Sequence, residues 1–137
     1  MRDETGTRID RVATATIKHG AAIVAGNLVG FAAKAAQIGR FVAPDTAAAT
    51  DIQTGEAYVL FVTGGHELPI NAGAGTLPSG TIAGDRIFIN PTTFALARNT
   101  GAAGNLALGI VESVDTSRTP NVGLVNMNRL NAFYPVP

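Results

Sequence analysis

The sequence predicts a small all-β domain of antiparallel strands, arranged as a barrel or a sandwich. Seven or eight short runs of apolar or β-branched residues recur along the chain, with Gly, Pro and Asn clusters between them. Such runs at intervals of about 8–12 residues are typical of these folds. No segment carries the sustained 3.6-residue periodicity of an amphipathic helix. The 137 residues fit one domain with one hydrophobic core.

The first third of the chain predicts an arm and two strand regions. Residues 1–11 mix both signs of charge and contain little apolar material, which predicts a flexible N-terminal arm. Residues 12–18 are rich in β-branched side chains and predict the first strand. Residues 22–33 predict a hairpin, because the pair Gly26–Asn27 tolerates the positive φ of a tight turn.

The middle of the chain predicts a buried strand followed by a loop. Residues 56–63, EAYVLFVT, are apolar almost throughout and predict a strand buried on both faces. The segment 64–85 holds six glycines and two prolines, which predicts a long loop. Long loops in compact domains are usually functional. Residues 86–90 predict a further strand, which ends in a type I turn at 90–93.

The last part of the chain predicts three more strands and a tail. A half-buried strand begins at Phe94, a longer one covers 106–114, and the last covers 121–130. The β-domain is therefore expected to span residues 12–130. Residues 131–137, NAFYPVP, are expected to form an extended tail, because proline prevents a helix there.

Composition excludes several classes of function. The formal net charge is zero, so no long-range field attracts nucleic acid or an anionic membrane. Cysteine is absent, which excludes thiolate chemistry, and no apolar run approaches the length of a membrane span. The charged N-terminus does not resemble a signal peptide.

The low charge also predicts that part of the surface is covered by another molecule. Only 15% of the residues are charged, against about a quarter in an average domain. The apolar run at 57–62 is expected to be buried between subunits. The side chains predicted for this interface between subunits are Tyr58, Leu60 and Phe61.

Three residues are candidates for catalysis, and no sequence motif brings them together in one site. His66 and Glu67 are adjacent, so on a strand they point to opposite faces. Ser79 does not lie in a G-x-S-x-G motif. The segment Gly75–Gly80 has the spacing of a phosphate-binding loop, but Thr81 stands where the lysine is required. We therefore expect a protein without enzymatic activity.

Five stretches together match the pattern of a known family in their order and spacing. They are AIVAGNLVGFAA (22–33), GEAYVLFVTGGHELP (55–69), AGDRIFINPTTFALAR (83–98), GNLALGIVESV (104–114) and NVGLVNMN (121–128). The chain resembles, over about residues 20–130, the head decoration (capsid cement) proteins of tailed bacteriophages. The tail at 131–137 departs from this resemblance.

The resemblance implies a small antiparallel β-barrel or β-tulip-like domain with an extended N-terminal arm. It implies a structural protein of the virion, made in the host cytoplasm, that trimerises on the outside of the capsid. There it would bridge major capsid subunits at three-fold positions, without a cofactor or a metal. The residues expected to bind the capsid lie in the arm and the tail: Arg2, Glu4, Arg8, Arg11, Phe133 and Tyr134.

A second class of function remains open from the sequence. A carbohydrate- or cell-surface-binding β module would use the 64–85 loop as its site. Sugar-binding sites commonly present aromatic platforms, yet the chain has two tyrosines, Tyr58 and Tyr134, and no tryptophan. The capsid interpretation is therefore the leading expectation.

Overall fold

The structure is an all-β domain. The computed structural model describes residues 7–26, 28–35, 38, 51–71, 73 and 75–127. These residues form nine strands and no α-helix: β1 (Arg8–Val12), β2 (Ala22–Ala25), β3 (Leu28–Ala33), β4 (Ala57–Phe61), β5 (Gly64–Pro69), β6 (Arg86–Ile89), β7 (Leu96–Arg98), β8 (Leu106–Asp115) and β9 (Val122–Met127). Over this part of the chain, no helix has the length and apolar character needed to cross a membrane.

The strands form two antiparallel sheets. The four-stranded sheet has the order β1-β4-β3-β2, and the five-stranded sheet has the order β5-β9-β8-β6-β7. The chain passes from the first sheet to the second through the two residues between β4 and β5. The prediction of an antiparallel all-β fold is confirmed, whereas the strand pairing of the described residues does not close either sheet into a barrel.

The two sheets pack face to face around the main core. Alternate residues of a strand point to opposite faces of its sheet. On β4, Val59 and Phe61 therefore point toward the five-stranded sheet and join the main core. Tyr58 and Leu60 point the other way, into a second apolar cluster that also contains Ile52. The prediction that this strand is buried on both faces is confirmed.

The N-terminal boundary of the domain differs from the expectation. Residues 8–11, predicted to belong to a flexible arm, lie in β1 and pair with β4. The strand predicted at 12–18 is wrong, because β1 ends at Val12. Beyond it, the backbone of Ala13 bonds to Gly55 and Glu56, and Ile17 forms an isolated bridge with Ile52. A strand at a sheet edge needs few apolar side chains, so charge at 8–11 did not prevent pairing.

The predicted hairpin at 22–33 is confirmed. Strands β2 and β3 pair in antiparallel register with Ala25 opposite Leu28. Gly26 has a φ of +62°, the left-handed conformation that such a turn requires. Asn27 lies outside the described residues.

The long loop predicted at 64–85 is shorter in the structure. Residues 64–69 form β5, which pairs with β9. An isolated bridge between Ile70 and Leu77 and bonded turns occupy the rest of the segment. Glycine and proline pointed to a loop here, but the single proline of β5 pairs at the end of the strand, where it is tolerated.

Candidate functional site

His66 is a core residue. It is fully buried on β5, and its ring stacks on Phe31 with centroids 4.6 Å apart. The ring of Phe61 lies against it at 5.2 Å, and Nε2 donates to the carbonyl oxygen of Thr63 at 3.0 Å. A histidine held in this way fills space between the two sheets.

Glu67 lies on the opposite face of β5, as expected for neighbouring residues of a strand. Arg118, in the turn between β8 and β9, donates from Nη1 to Oε2 of Glu67 at 2.7 Å. Glu67 is almost fully buried, whereas the Arg118 side chain is about one-third exposed. The pair ties this turn to the sheet, and His66 and Glu67 do not act on one site.

Ser79 lies in an exposed turn and does not meet a base. The turn is held by Thr81, which donates to the carbonyl oxygen of Pro78 through both its amide and its hydroxyl. In the parts of the chain described above, no group of three or more His, Cys, Asp or Glu side chains is placed to hold a metal ion. The three candidate residues therefore do not form one chemical centre.

A polar cluster around Asp85 fastens the 78–85 turn to the five-stranded sheet. Its Oδ2 accepts from the amide of Ile82 at 2.9 Å and from Nε of Arg98 at 2.9 Å. Its Oδ1 accepts from Nδ2 of Asn99 at 2.9 Å. Arg98 also donates to the carbonyl oxygen of Gly80 at 2.6 Å. These hydrogen bonds and the ion pair join the turn to Arg98 and Asn99, at the end of the β6–β7 hairpin.

These contacts favour the ionised form of Asp85. The Ile82 amide has the largest effect, followed by the Asn99 side chain and the Arg98 guanidinium, and together they hold the pKa of Asp85 below its ordinary value of 3.8. Sequence reasoning missed this cluster, because Asn99 lies 14 residues from Asp85 and only the strand pairing brings them together.

A second set of polar side chains lies beside the second apolar cluster, which contains Tyr58, Leu60 and Ile52. His19 is buried and accepts at Nδ1 from the amide of Lys34 at 3.0 Å. Lys18 forms an ion pair with Asp51 at 3.0 Å, and Nζ of Lys34 donates to the backbone oxygen of Asp51 at 3.1 Å. These contacts hold the segment around Ile17 and Ile52 over the sheet, which is a structural role.

The residues predicted for the subunit interface are buried inside the single chain. Tyr58 is 4% exposed, Leu60 0% and Phe61 1%. Their surface is already covered by the two apolar clusters, so it is not available to another subunit. The run is apolar because both faces of β4 are covered within the chain. A contact between subunits would therefore use other residues.

The predicted capsid-binding residues fall into two groups. Arg8 and Arg11 lie on β1, where Arg8 is exposed and Arg11 half-buried. The guanidinium of Arg8 lies 5.8 Å from the centre of the Phe61 ring. Arg2, Glu4, Phe133 and Tyr134 lie outside the described residues.

Strand β1 is bonded to β4 along one of its two sides. Val62 donates to the oxygen of Thr7, and Ala13 donates to the oxygen of Glu56, both at 2.9 Å. Bonded and non-bonded pairs alternate in an antiparallel ladder, so Ile9 and Arg11 also bond to β4. The N–H and C=O groups of the even-numbered residues therefore point away from it. Among the strands described, none pairs with this side of β1.

Two apolar features remain at the surface elsewhere. A groove of about 610 Å³ lies beside β2, and Ile17, Ile23 and Phe94 contribute to its walls. Ile82, at the tip of the turn that Asp85 fastens, is 59% exposed. Phe94 adopts a φ of +60°, so it lies in a turn and not in the strand predicted to begin there.

Comparisons with protein-family models, with curated proteins and with solved structures found no match.

Proposed function

We propose that this protein decorates the outside of a tailed-bacteriophage capsid and stabilises the shell. The resemblance to head decoration proteins supports this, and four of the stretches that carry it contain whole β-elements: β2–β3, β4–β5, β6–β7 and β9. The β-tulip form belongs to the same proposal, as a refinement of the two-sheet fold.

The observation that carries the proposal is that three ionisable side chains, which are the usual candidates for catalysis, serve to hold the fold together. His66, Glu67 and Asp85 are buried, and each holds strands or turns together. The three side chains are 0%, 8% and 5% exposed, so they serve the fold. Exposed apolar surface often marks a protein–protein contact, and only 15% of the residues are charged.

The proposed shell contacts lie at the two ends of the chain. Residues 1–6 and 128–137 precede β1 and follow β9, and they contain Arg2, Glu4, Phe133 and Tyr134. In this proposal the two segments contribute many weak contacts with the shell. Three subunits that bind together then hold the shell far more tightly than one.

The proposed trimer needs a contact between two different surfaces, because a three-fold ring is closed by heterologous contacts. The groove beside β2 and the exposed Ile82 are apolar, and Ile82 is not among the residues that line the groove. We expect Ile82 of one subunit to pack into the groove of the next. Ile82→Asp should then reduce occupancy of expanded shells, on which the trimer is proposed to form, without unfolding the domain.

The experiment is a binding assay on shells of the major capsid protein encoded in the same genome. We expect the protein to co-sediment with expanded shells and not with unexpanded ones, and to raise the temperature at which expanded shells break. Selective binding to the expanded form is what would stabilise it. Deletion of residues 1–6 should weaken binding, whereas Ser79→Ala, an exposed change in a turn, serves as the matched control.

Failure to bind either shell would contradict the proposal. Binding to host cells or to isolated surface glycans, without binding to shells, would favour the cell-surface alternative. The structure removes part of the basis of that alternative, since residues 64–69 of its proposed loop form β5.

A further inference from the structure

We propose that the free side of β1 pairs with β1 of a second copy of this chain, antiparallel and around a two-fold axis. The contact would join two four-stranded sheets into one sheet of eight strands. This inference goes beyond the decoration of a capsid, because it concerns the contact between two copies in solution. It does not use the groove beside β2 or the chain ends.

The backbone restricts how two copies of β1 can meet. The available groups belong to Arg8, Asp10 and Val12, since the residues between them bond to β4. Two such strands exchange hydrogen bonds only when even-numbered residues lie opposite even-numbered residues. Few registers are therefore possible, and each is reached from the next by shifting one strand by two residues along the other.

Charge selects one of these registers. With the two-fold axis at Ile9, Arg8 of each copy lies directly opposite Asp10 of the other, so two opposite-charge pairs form. The neighbouring registers place Asp10 opposite Asp10, or Arg8 opposite Arg8. Opposite charges across a ladder stabilise it, and like charges destabilise it. Charge complementarity thus identifies the occupant of this edge as a second copy.

Both side chains of each proposed pair reach the surface, and the Arg8 guanidinium, now 5.8 Å from the centre of the Phe61 ring on β4, would turn from that ring toward the new strand. Arg8 and Asp10 are exposed, and they lie on one face of β1 because they are two residues apart. No ion pair within the described residues uses Asp10. Charges on an edge strand often prevent pairing, but here the two signs alternate so that the strand complements itself.

The register predicts a specific cross-link. Ile9 would lie opposite Ile9 in a non-hydrogen-bonded pair, where Cα atoms are about 4.5 Å apart, within the range of a disulfide. Because the chain has no cysteine, Ile9→Cys provides a single thiol. We expect it to form a covalent dimer under mild oxidation. Val12→Cys is the control, since Val12 is 63% exposed but would face residue 6.

Charge substitutions test the same contact without a covalent bond. Sedimentation should show a concentration-dependent doubling of mass for the parent, and Arg8→Asp or Asp10→Arg should each abolish it. An equimolar mixture of the two variants should restore the doubling, because residue 8 of one then complements residue 10 of the other. Arg11→Asp makes the same charge change as Arg8→Asp on the other face, and it should leave the doubling intact.

Three results would overturn the inference: no doubling of the parent, no restoration in the mixture, or equal cross-linking of Ile9→Cys and Val12→Cys. Circular dichroism of each variant excludes unfolding as the cause. None of these measurements involves a capsid, so their failure is distinguishable from failure of the proposed function.

Discussion

Strands β1 and β4 are neighbours in one sheet, and the sequence of each predicts a role that the structure does not show. β4 is apolar, which suggested a surface shared between subunits, but its side chains are covered within the chain. β1 is charged, which suggested a flexible arm, but it is a strand of the sheet, and no described strand other than β4 pairs with it. The apolar side chains of a strand that is covered on both faces indicate burial within the chain. A contact with another molecule can instead be made by the backbone of an edge strand.

The largest expected effect comes from truncation of β4. Phe61 is 1% exposed and packs between the sheets, so Phe61→Ala should lower the free energy of unfolding by about 3–5 kcal/mol. The matched change on β1, Ile9→Ala, removes a half-buried side chain and should cost about 1 kcal/mol. Urea unfolding measures both. Equal losses would show that β4 is not more deeply buried than its neighbour.

The next effect concerns His66. Its ring fills the space between Phe31 and Phe61, so His66→Ala should lower the free energy of unfolding by about 2–4 kcal/mol. Ser79→Ala, in the exposed turn, should leave stability unchanged. Thermal unfolding of the two variants provides the comparison. An unchanged melting temperature for His66→Ala would mean that the ring is not part of the core.

Much of the fold was predictable from the chain, because alternation and turn residues are local signals. The hairpin at 22–33 and the strand at 56–63 were found in this way. The position of β1 was not, because an edge strand is held by backbone bonds to a distant strand and needs no apolar pattern of its own. The Asp85 cluster was missed for a similar reason, since strand pairing brings Arg98 and Asn99 to it.

The third effect is a dependence of stability on pH that Asp85 introduces. Its pKa is lowered in the folded protein, so its contribution to stability is complete above its ordinary value of 3.8 and is lost as the pH falls through the lowered pKa. Asp85→Asn should cost about 1–3 kcal/mol at pH 7. The difference from the parent should shrink in strong acid.

The control for this experiment lies on β1. Asp10 is exposed and outside the ion pairs described, so Asp10→Asn should change the free energy of unfolding by less than about 0.5 kcal/mol at protein concentrations too low for the proposed association of copies. Urea unfolding at a series of pH values measures both variants. A constant difference between Asp85→Asn and the parent at every pH would contradict the assignment.

The smallest expected effect on stability is that of the β1 charges. At protein concentrations too low for association, Asp10→Arg should alter the free energy of unfolding by less than about 0.5 kcal/mol, and Arg8→Asp, which also removes the contact with the Phe61 ring, by less than about 1 kcal/mol. The same two changes are expected to abolish association of the copies. A large loss of stability in either variant would mean that these side chains support the fold itself.

The most direct test of the decoration proposal is a cryo-electron-microscopy reconstruction of expanded shells incubated with the protein. We expect added density on the outer surface at three-fold positions, in groups of three, into which the two-sheet domain fits. Shells without added density, or with the protein at scattered sites that lack three-fold contacts, would contradict the proposal.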